Sequence, residues 1–211
     1  MNSGKFITLE GPDGSGKSTI AHYIVDYLTS HGIQTLYTRE PGGTDLAEAV
    51  RSILLSPDFK IDDTTELMLF MAARSHHLKF KVKPALEKGT WVVCDRFTDS
   101  TLAYQSDTLE KMWELHEWLK SCKWLITPDM TLYLKITWET ALRRMKLRNE
   151  ADNRIESSLH ERIDNMLQCY DDLARHEKHY RVVDANAELS SVKAQVESHL
   201  QKLLDNENKV L

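Results

Sequence analysis

Residues 11 to 18 read Gly11-Pro12-Asp13-Gly14-Ser15-Gly16-Lys17-Ser18, followed by Thr19 and an apolar stretch with helical spacing, and preceded by the apolar run Phe6-Ile7-Thr8-Leu9. A strand that feeds a glycine-rich turn and then a helix N-terminus aims successive peptide N–H groups at one point, with the helix dipole behind them. Such a cradle binds phosphate. Gly11, Gly14 and Gly16 let the backbone approach the phosphate oxygens, Lys17 reaches the β- and γ-phosphates, and the Ser18 hydroxyl is placed to ligate Mg²⁺.

Working outward, short β-like runs alternate with helical patterns at Lys5 to Glu10, Gln34 to Thr38, Trp91 to Cys94, Thr131 to Ile136 and Tyr180 to Val183. Five buried strands separated by helices predict an α/β fold, a five-stranded parallel sheet flanked by helices on both faces. Its 211 residues suit one domain spanning 1–211. The stretch from Arg143 to Arg154 carries Arg143, Arg144, Lys146, Arg148 and Arg154, and predicts a small mobile basic lid at about 143–156. The 27 Lys and Arg against 32 Asp and Glu leave a net charge of −5, which argues against wrapping nucleic acid. Cys94, Cys122 and Cys169 fall in no paired spacing and read as reduced thiols. With neither a signal-like start nor an apolar run of membrane length, the expectation is a cytoplasmic protein with no membrane partner.

In a parallel sheet, ligands bind beyond the carboxyl ends of the strands. The second strand runs into Thr38-Arg39-Glu40-Pro41-Gly42-Gly43-Thr44 and the third into Asp95-Arg96-Phe97. Asp95 is a candidate Mg²⁺ partner. Arg96 stands where a hydrolytic motor ATPase would carry a water-activating glutamate, and no Asn-Lys-x-Asp guanine-reading segment is present, so phosphoryl transfer to a small acceptor is favoured. Thr64 and Thr65 are expected to cap a helix that sets Phe70 and Arg74 one turn apart on one face, an aromatic ring beside a guanidinium suited to a planar base. Thr101, Tyr104 and Gln105 share another helical face. Leu46, Val50, Ile53 and Leu54 form an apolar face on the helix that carries Arg51. Met112, Trp113, His116 and Leu119 suit core or a dimer face. The nine histidines show no ligand spacing.

Taken in order, Glu10 to Thr19, Thr38 to Thr44, Leu69-Phe70-Met71-Ala72-Ala73-Arg74, Asp95 to Gln105 and Arg154-Ile155-Glu156 resemble the thymidylate kinase family over nearly the whole chain. The resemblance implies transfer of the γ-phosphoryl of ATP to dTMP, with Mg²⁺, giving dTDP and ADP on the way to dTTP, in a homodimer. By position it implies that Phe70 stacks on thymine, Arg74 bonds its carbonyl face, and Thr101 and Gln105 line the base edge. It places Tyr104 under the deoxyribose, Arg39, Arg51 and Arg96 around the acceptor phosphate with Glu40 beside them, and Asp13 near the sugar and metal. Family members with glycine at the position of Gly14 use lid arginines for the transferring group, which points to Arg148 and Arg154, with Arg144 behind them. After Gln105 the chain continues Ser106-Asp107-Thr108-Leu109-Glu110 where a glycine-rich loop is common in bacterial relatives. A kinase for another deoxynucleotide, such as dUMP or a 5-modified pyrimidine, is the alternative reading.

Overall fold

The computed structural model describes residues 4–148 and 162–208. Its centre is a five-stranded sheet in the order β2-β3-β1-β4-β5, formed by β1 (Phe6–Glu10), β2 (Thr35–Arg39), β3 (Trp91–Asp95), β4 (Met130–Lys135) and β5 (Tyr180–Asp184). Every pairing is parallel, as the alternation of strands and helices predicts. The register sets Leu9 opposite Asp95 and Arg39 opposite Asp95, so the ends of β1, β2 and β3 emerge together.

β1 lies between two neighbours and is buried along its whole length, which is why it reads as a nearly unbroken apolar run. Its residues alternate between faces. Ile7 and Leu9 pack with α1 (Lys17–Ser30), through Ile20, Ile24 and Leu28, and with α9 (Leu189–Asn208), through Val192, Val196 and Leu200. On the opposite face Phe6 meets Val92, Cys94 and Phe97, with Leu78 and Val82 of the π-helical turn Leu78–Val82 that joins α3 (Asp63–His77) to α4 (Lys83–Glu87). Beside them α5 (Thr98–Tyr104), α6 (Leu109–Ser121) and α8 (Ile163–His176) enclose Leu102, Met112, Tyr133, Tyr170 and Leu173. Two helices remain, α2 (Asp45–Leu55) and α7 (Trp138–Arg148). Residues 143–148 of the basic stretch are thus the last turns of a helix, and the rest of the lid lies outside the described residues.

One local expectation is corrected and two are sharpened. The cap of α3 is Asp62, whose carboxylate accepts from the N–H groups of Thr64 and Thr65 and from the Thr65 hydroxyl, because a carboxylate two positions before Thr64 is the better acceptor at a helix N-terminus. On α2, Ala47 and Leu54 are buried and Val50 is half-buried, whereas Leu46 and Ile53 are exposed, so this chain covers the apolar face only in part. On α6, Met112, His116 and Leu119 are buried within the chain, the core reading of the two expected there. Cys94 and Cys169 are buried free thiols, and Cys122 is half-buried and free. Among the described residues no helix is long and apolar enough to cross a membrane.

Candidate active site

The phosphate loop connects β1 to α1. Gly16 caps α1 in a left-handed conformation with φ 91°. Gly14 has φ 79°, and a Cβ there would lie 2.5 Å from the Ala141 carbonyl of α7, so α7 itself fills the space a side chain would need. Lys17 donates to the Pro12 carbonyl at 2.9 Å and lies 4.0 Å from Asp13. Burial, reinforced by Arg96, lowers the Lys17 ammonium to about 8 against the pull of Asp13, Asp95 and Glu10. A buried cation held this way gains most from an added anion. The Ser15 hydroxyl is buried with no hydrogen-bond partner in the loop's interior. Ser18 donates to Asp95 at 2.6 Å, a hydroxyl and a carboxylate side by side, while Thr19 is exposed on the first turn of α1.

Arg96 joins this loop to the far side of the crevice. It is the one non-glycine residue with positive φ among the described residues, at 70°. Its guanidinium donates to Asp13 at 2.7 Å, Tyr104 at 3.0 Å, Ser100 at 2.9 Å and the Gly11 carbonyl at 3.1 Å, and lies 4.9 Å from the Tyr104 ring centre. Burial alone would raise the Asp13 carboxyl, but Arg96 and Lys17 outweigh it and hold it well below the usual carboxylate range. Asp13 also accepts from the Tyr104 hydroxyl at 3.2 Å.

Arg39 pairs with Glu48 at 3.1 Å, and Arg51 donates to the Pro41 carbonyl at 3.0 Å. Burial lowers the Arg51 guanidinium, and Arg39 and Arg96 add to the shift, which registers three cations sharing one electrostatic neighbourhood. Such a cluster suits a phosphate dianion.

On α3, Arg74 is buried. It donates from Nε to Glu40 at 2.6 Å and from Nη2 to the Phe97 carbonyl and the Thr101 hydroxyl, each at 2.9 Å. Nη1 has no partner. The residue after Tyr104 shows the complementary gap: Gln105 donates to Glu66 at 3.0 Å, and its buried Oε1 accepts from nothing among the described residues. One unspent donor and one unspent acceptor near Thr101 are costly unless a ligand meets them.

The structure therefore brings together Asp13, Lys17, Ser18, Asp95, Arg96 and Tyr104 around the loop, and Glu40, Arg74 and Thr101 behind it. Phe70 is half-buried one turn before Arg74, but the ring lying over that guanidinium is Phe97, at 5.2 Å. Arg144 lies on α7. Arg154 and the side chain of Arg148 lie outside the described residues.

Sequence reasoning missed four supporting groups. His77 bridges Thr38 at 2.7 Å and Glu40 at 2.8 Å, and with Arg74 it outweighs burial to hold the Glu40 carboxyl below its ordinary value. Its position three residues after Arg74 on α3 was the available signal. Glu48 accepts from Gly43 N–H at 2.9 Å as well as from Arg39. Glu10 and Tyr170 meet beneath Arg96 around Ser100. For Glu10, the signal was a charge ending an otherwise buried strand.

A parallel sheet, a lysine-bearing phosphate loop at the end of its central strand and an arginine-lined crevice beyond the neighbouring strands define the class of P-loop phosphotransferases. The sequence profile of the thymidylate kinase family matches residues 9–196. A thymidylate kinase of Marinomonas sp. (strain MWYL1) is 41% identical over 208 residues, covering 95% of each chain. That of Chromohalobacter salexigens is 39% identical over 219 residues, covering 97% of this chain and 98% of its own, and that of Ruthia magnifica 39% over 209, covering 96% and 100%. The chain belongs to the thymidylate kinase family.

Proposed function

We propose that this chain transfers the γ-phosphoryl group of ATP to the 5′-phosphate of dTMP. An oxygen of the acceptor phosphate attacks the γ-phosphorus, the bond to the β–γ bridging oxygen breaks, and ADP and dTDP leave. The observation that carries the acceptor's identity is the pair of unspent groups, Arg74 Nη1 and Gln105 Oε1. Thymine offers a carbonyl acceptor at O4 and a donor at N3–H, and these match a free donor and a free acceptor. Cytosine presents the reverse pattern and leaves both protein groups unsatisfied.

Lys17 and the backbone of the loop Gly11-Pro12-Asp13-Gly14-Ser15-Gly16 hold the ATP phosphates, with Ser18 and Thr19 on the first turn of α1. Arg39, Arg51 and Arg96 receive the acceptor phosphate. Phe70 stacks on the base and Tyr104, fixed through its hydroxyl by Arg96 and Asp13, packs against the sugar and disfavours a ribose. For Mg²⁺, Ser18 and Asp95 offer hard oxygen donors 2.6 Å apart, in keeping with an ion that takes few protein ligands and completes its shell with phosphate oxygens and water. When bound, that ion neutralises charge on the transferring phosphates. Arg148 and Arg154, within a lid at 143–156, supply the remaining positive charge.

The homodimer is supported by exposed Leu46 and Ile53 on α2 and Met68 on α3, apolar side chains this chain leaves uncovered. The testing experiment is turnover with ATP, Mg²⁺ and a panel of nucleoside monophosphates. dTMP and dUMP are expected to be phosphorylated and UMP poorly. Absence of turnover on dTMP rejects the reading.

A further inference from the structure

The role of Glu10 is not explained by nucleotide contact. It ends β1, is fully buried, and shares the sheet face of Phe6 and Thr8, so its carboxylate points toward α5 and α8. Its direct partners are neutral donors. Oε1 accepts from Phe97 N–H at 2.7 Å, and Oε2 accepts from the Ser100 hydroxyl at 2.6 Å and the Tyr170 hydroxyl at 3.3 Å. Packing alone does not account for a charge in this place, since burying a carboxylate is costly and an apolar residue would continue the strand.

Both arms of the carboxylate lead to Arg96. The Phe97 peptide follows directly on the left-handed Arg96, whose own N–H is held by the Leu9 carbonyl at 2.9 Å, so one arm fixes the backbone turn. In the second arm Ser100 spends its proton on Glu10 and keeps its lone pairs for Arg96 Nη1 at 2.9 Å. The guanidinium so oriented reaches Asp13, the Gly11 carbonyl and Tyr104. No other side chain holds Arg96 at both its peptide and, through one hydroxyl, its guanidinium among the described contacts.

We propose that Glu10 is a positioning residue for phosphoryl transfer, locking the turn and the guanidinium of Arg96 against the phosphate loop. The inference rests on the dTMP kinase reading above. Glu10→Gln tests it with little change in volume. Phe97 N–H can only donate, so the amide oxygen must face it and the NH₂ must face Ser100. Ser100 must then accept from the amide as well as from Arg96, and the second arm is weakened.

The measurement is steady-state turnover of dTMP by wild type, Glu10→Gln, Arg96→Lys and the double variant, with thermal unfolding of each. Arg96→Lys removes the forked guanidinium but keeps a charge. Glu10→Gln is expected to fold with unfolding temperature at pH 8 no lower than wild type, to lose kcat by at least about tenfold, and to keep its KM for ATP within about twofold. In the Arg96→Lys background the same substitution should add less than about threefold, because the tether has no guanidinium left to hold. Near-wild-type kcat, or losses that multiply in the double variant, overturns the proposal. Should Glu10→Gln fail to fold, Ser100→Ala removes the second arm alone and takes its place in the cycle with the same two outcomes. If wild type does not phosphorylate dTMP, it is the functional reading that fails. A crystal structure of Glu10→Gln then decides the tether: loss of the Arg96–Ser100 contact supports it, and an unchanged Arg96 overturns it.

Discussion

The phosphate loop and the acceptor crevice meet at Arg96 and are built in opposite ways. The loop is eight consecutive residues whose backbone, in the proposed function, does most of the phosphate binding, with the chain's own turn geometry as the device. The crevice is gathered from the ends of β2 and β3 and from α2, α3 and α5, and its cations stand where they do because acceptors from other elements hold them: buried Glu40 and Thr101 for Arg74, the partly exposed Glu48 for Arg39, and the partly buried Asp13 and Ser100 for Arg96. Removing one side chain from the loop should therefore abolish chemistry. Removing one from the crevice should change recognition, or act through a neighbour.

The largest expected effect is Lys17→Ala, with kcat lower by at least roughly three orders of magnitude and circular dichroism unchanged, since in the proposed function Lys17 supplies charge to the transferring group. A folded variant with near-normal turnover breaks the contrast at its loop end. Next is the pH dependence of Glu10→Gln. Burial first, and Asp99 second, raise the Glu10 carboxyl from an ordinary 4.5 to about 7. A raised carboxyl contributes stability that is present below about 4.5 and lost as pH rises through about 7, at most roughly 3 kcal/mol. Between pH 5 and 8, wild type should therefore lose stability relative to Glu10→Gln in paired denaturant titrations. Parallel curves would show that Glu10 does not titrate there.

Arg148→Ala or Arg154→Ala should lower kcat at least about a hundredfold, roughly 2.7 kcal/mol of transition-state stabilisation, with dTMP affinity little changed. The Ala141 carbonyl explains why an arginine at position 14 is no substitute, because it has no room for a Cβ. Arg74→Ala should instead raise the dTMP KM by roughly ten- to a hundredfold while kcat moves less, as expected for a lost charged hydrogen bond to the base. The smallest effect tests the frame. Thr108 caps α6 by accepting from Lys111 N–H, so Thr108→Ala should cost about 1 kcal/mol of stability in urea titrations and leave kcat untouched.

The same contrast explains what the sequence made legible. The loop is local, so its motif could be read from residues 11 to 18, and the strands were read from apolar runs because the sheet buries its inner strands β1, β3 and β4 almost wholly, while the edge strands β2 and β5 are only partly covered. Arg39, Arg74 and Arg96 could be picked out as strand-end and helix-face residues. Of the groups that hold them, Asp13, Glu40 and Thr101 were singled out as well, but His77, Glu48, Glu10 and Tyr170 were not. His77 reaches Glu40 across 37 positions and Tyr170 reaches Glu10 across 160, and no periodicity encodes such pairings. How far the apolar face of α2 is covered was not legible, because Leu46 and Ile53 are apolar yet exposed, and an apolar pattern cannot distinguish a face turned to the core from one left for another surface.

The central claim is that Arg74 Nη1 and Gln105 Oε1 select a base offering a carbonyl at position 4 and a donor at N3. The most direct measurement is kcat/KM of the wild-type enzyme for dTMP against dCMP at saturating ATP and Mg²⁺. The account predicts that dTMP is preferred by at least about a hundredfold, the cost of leaving a buried donor and a buried acceptor unpaired. Equal turnover of the two nucleotides would contradict it.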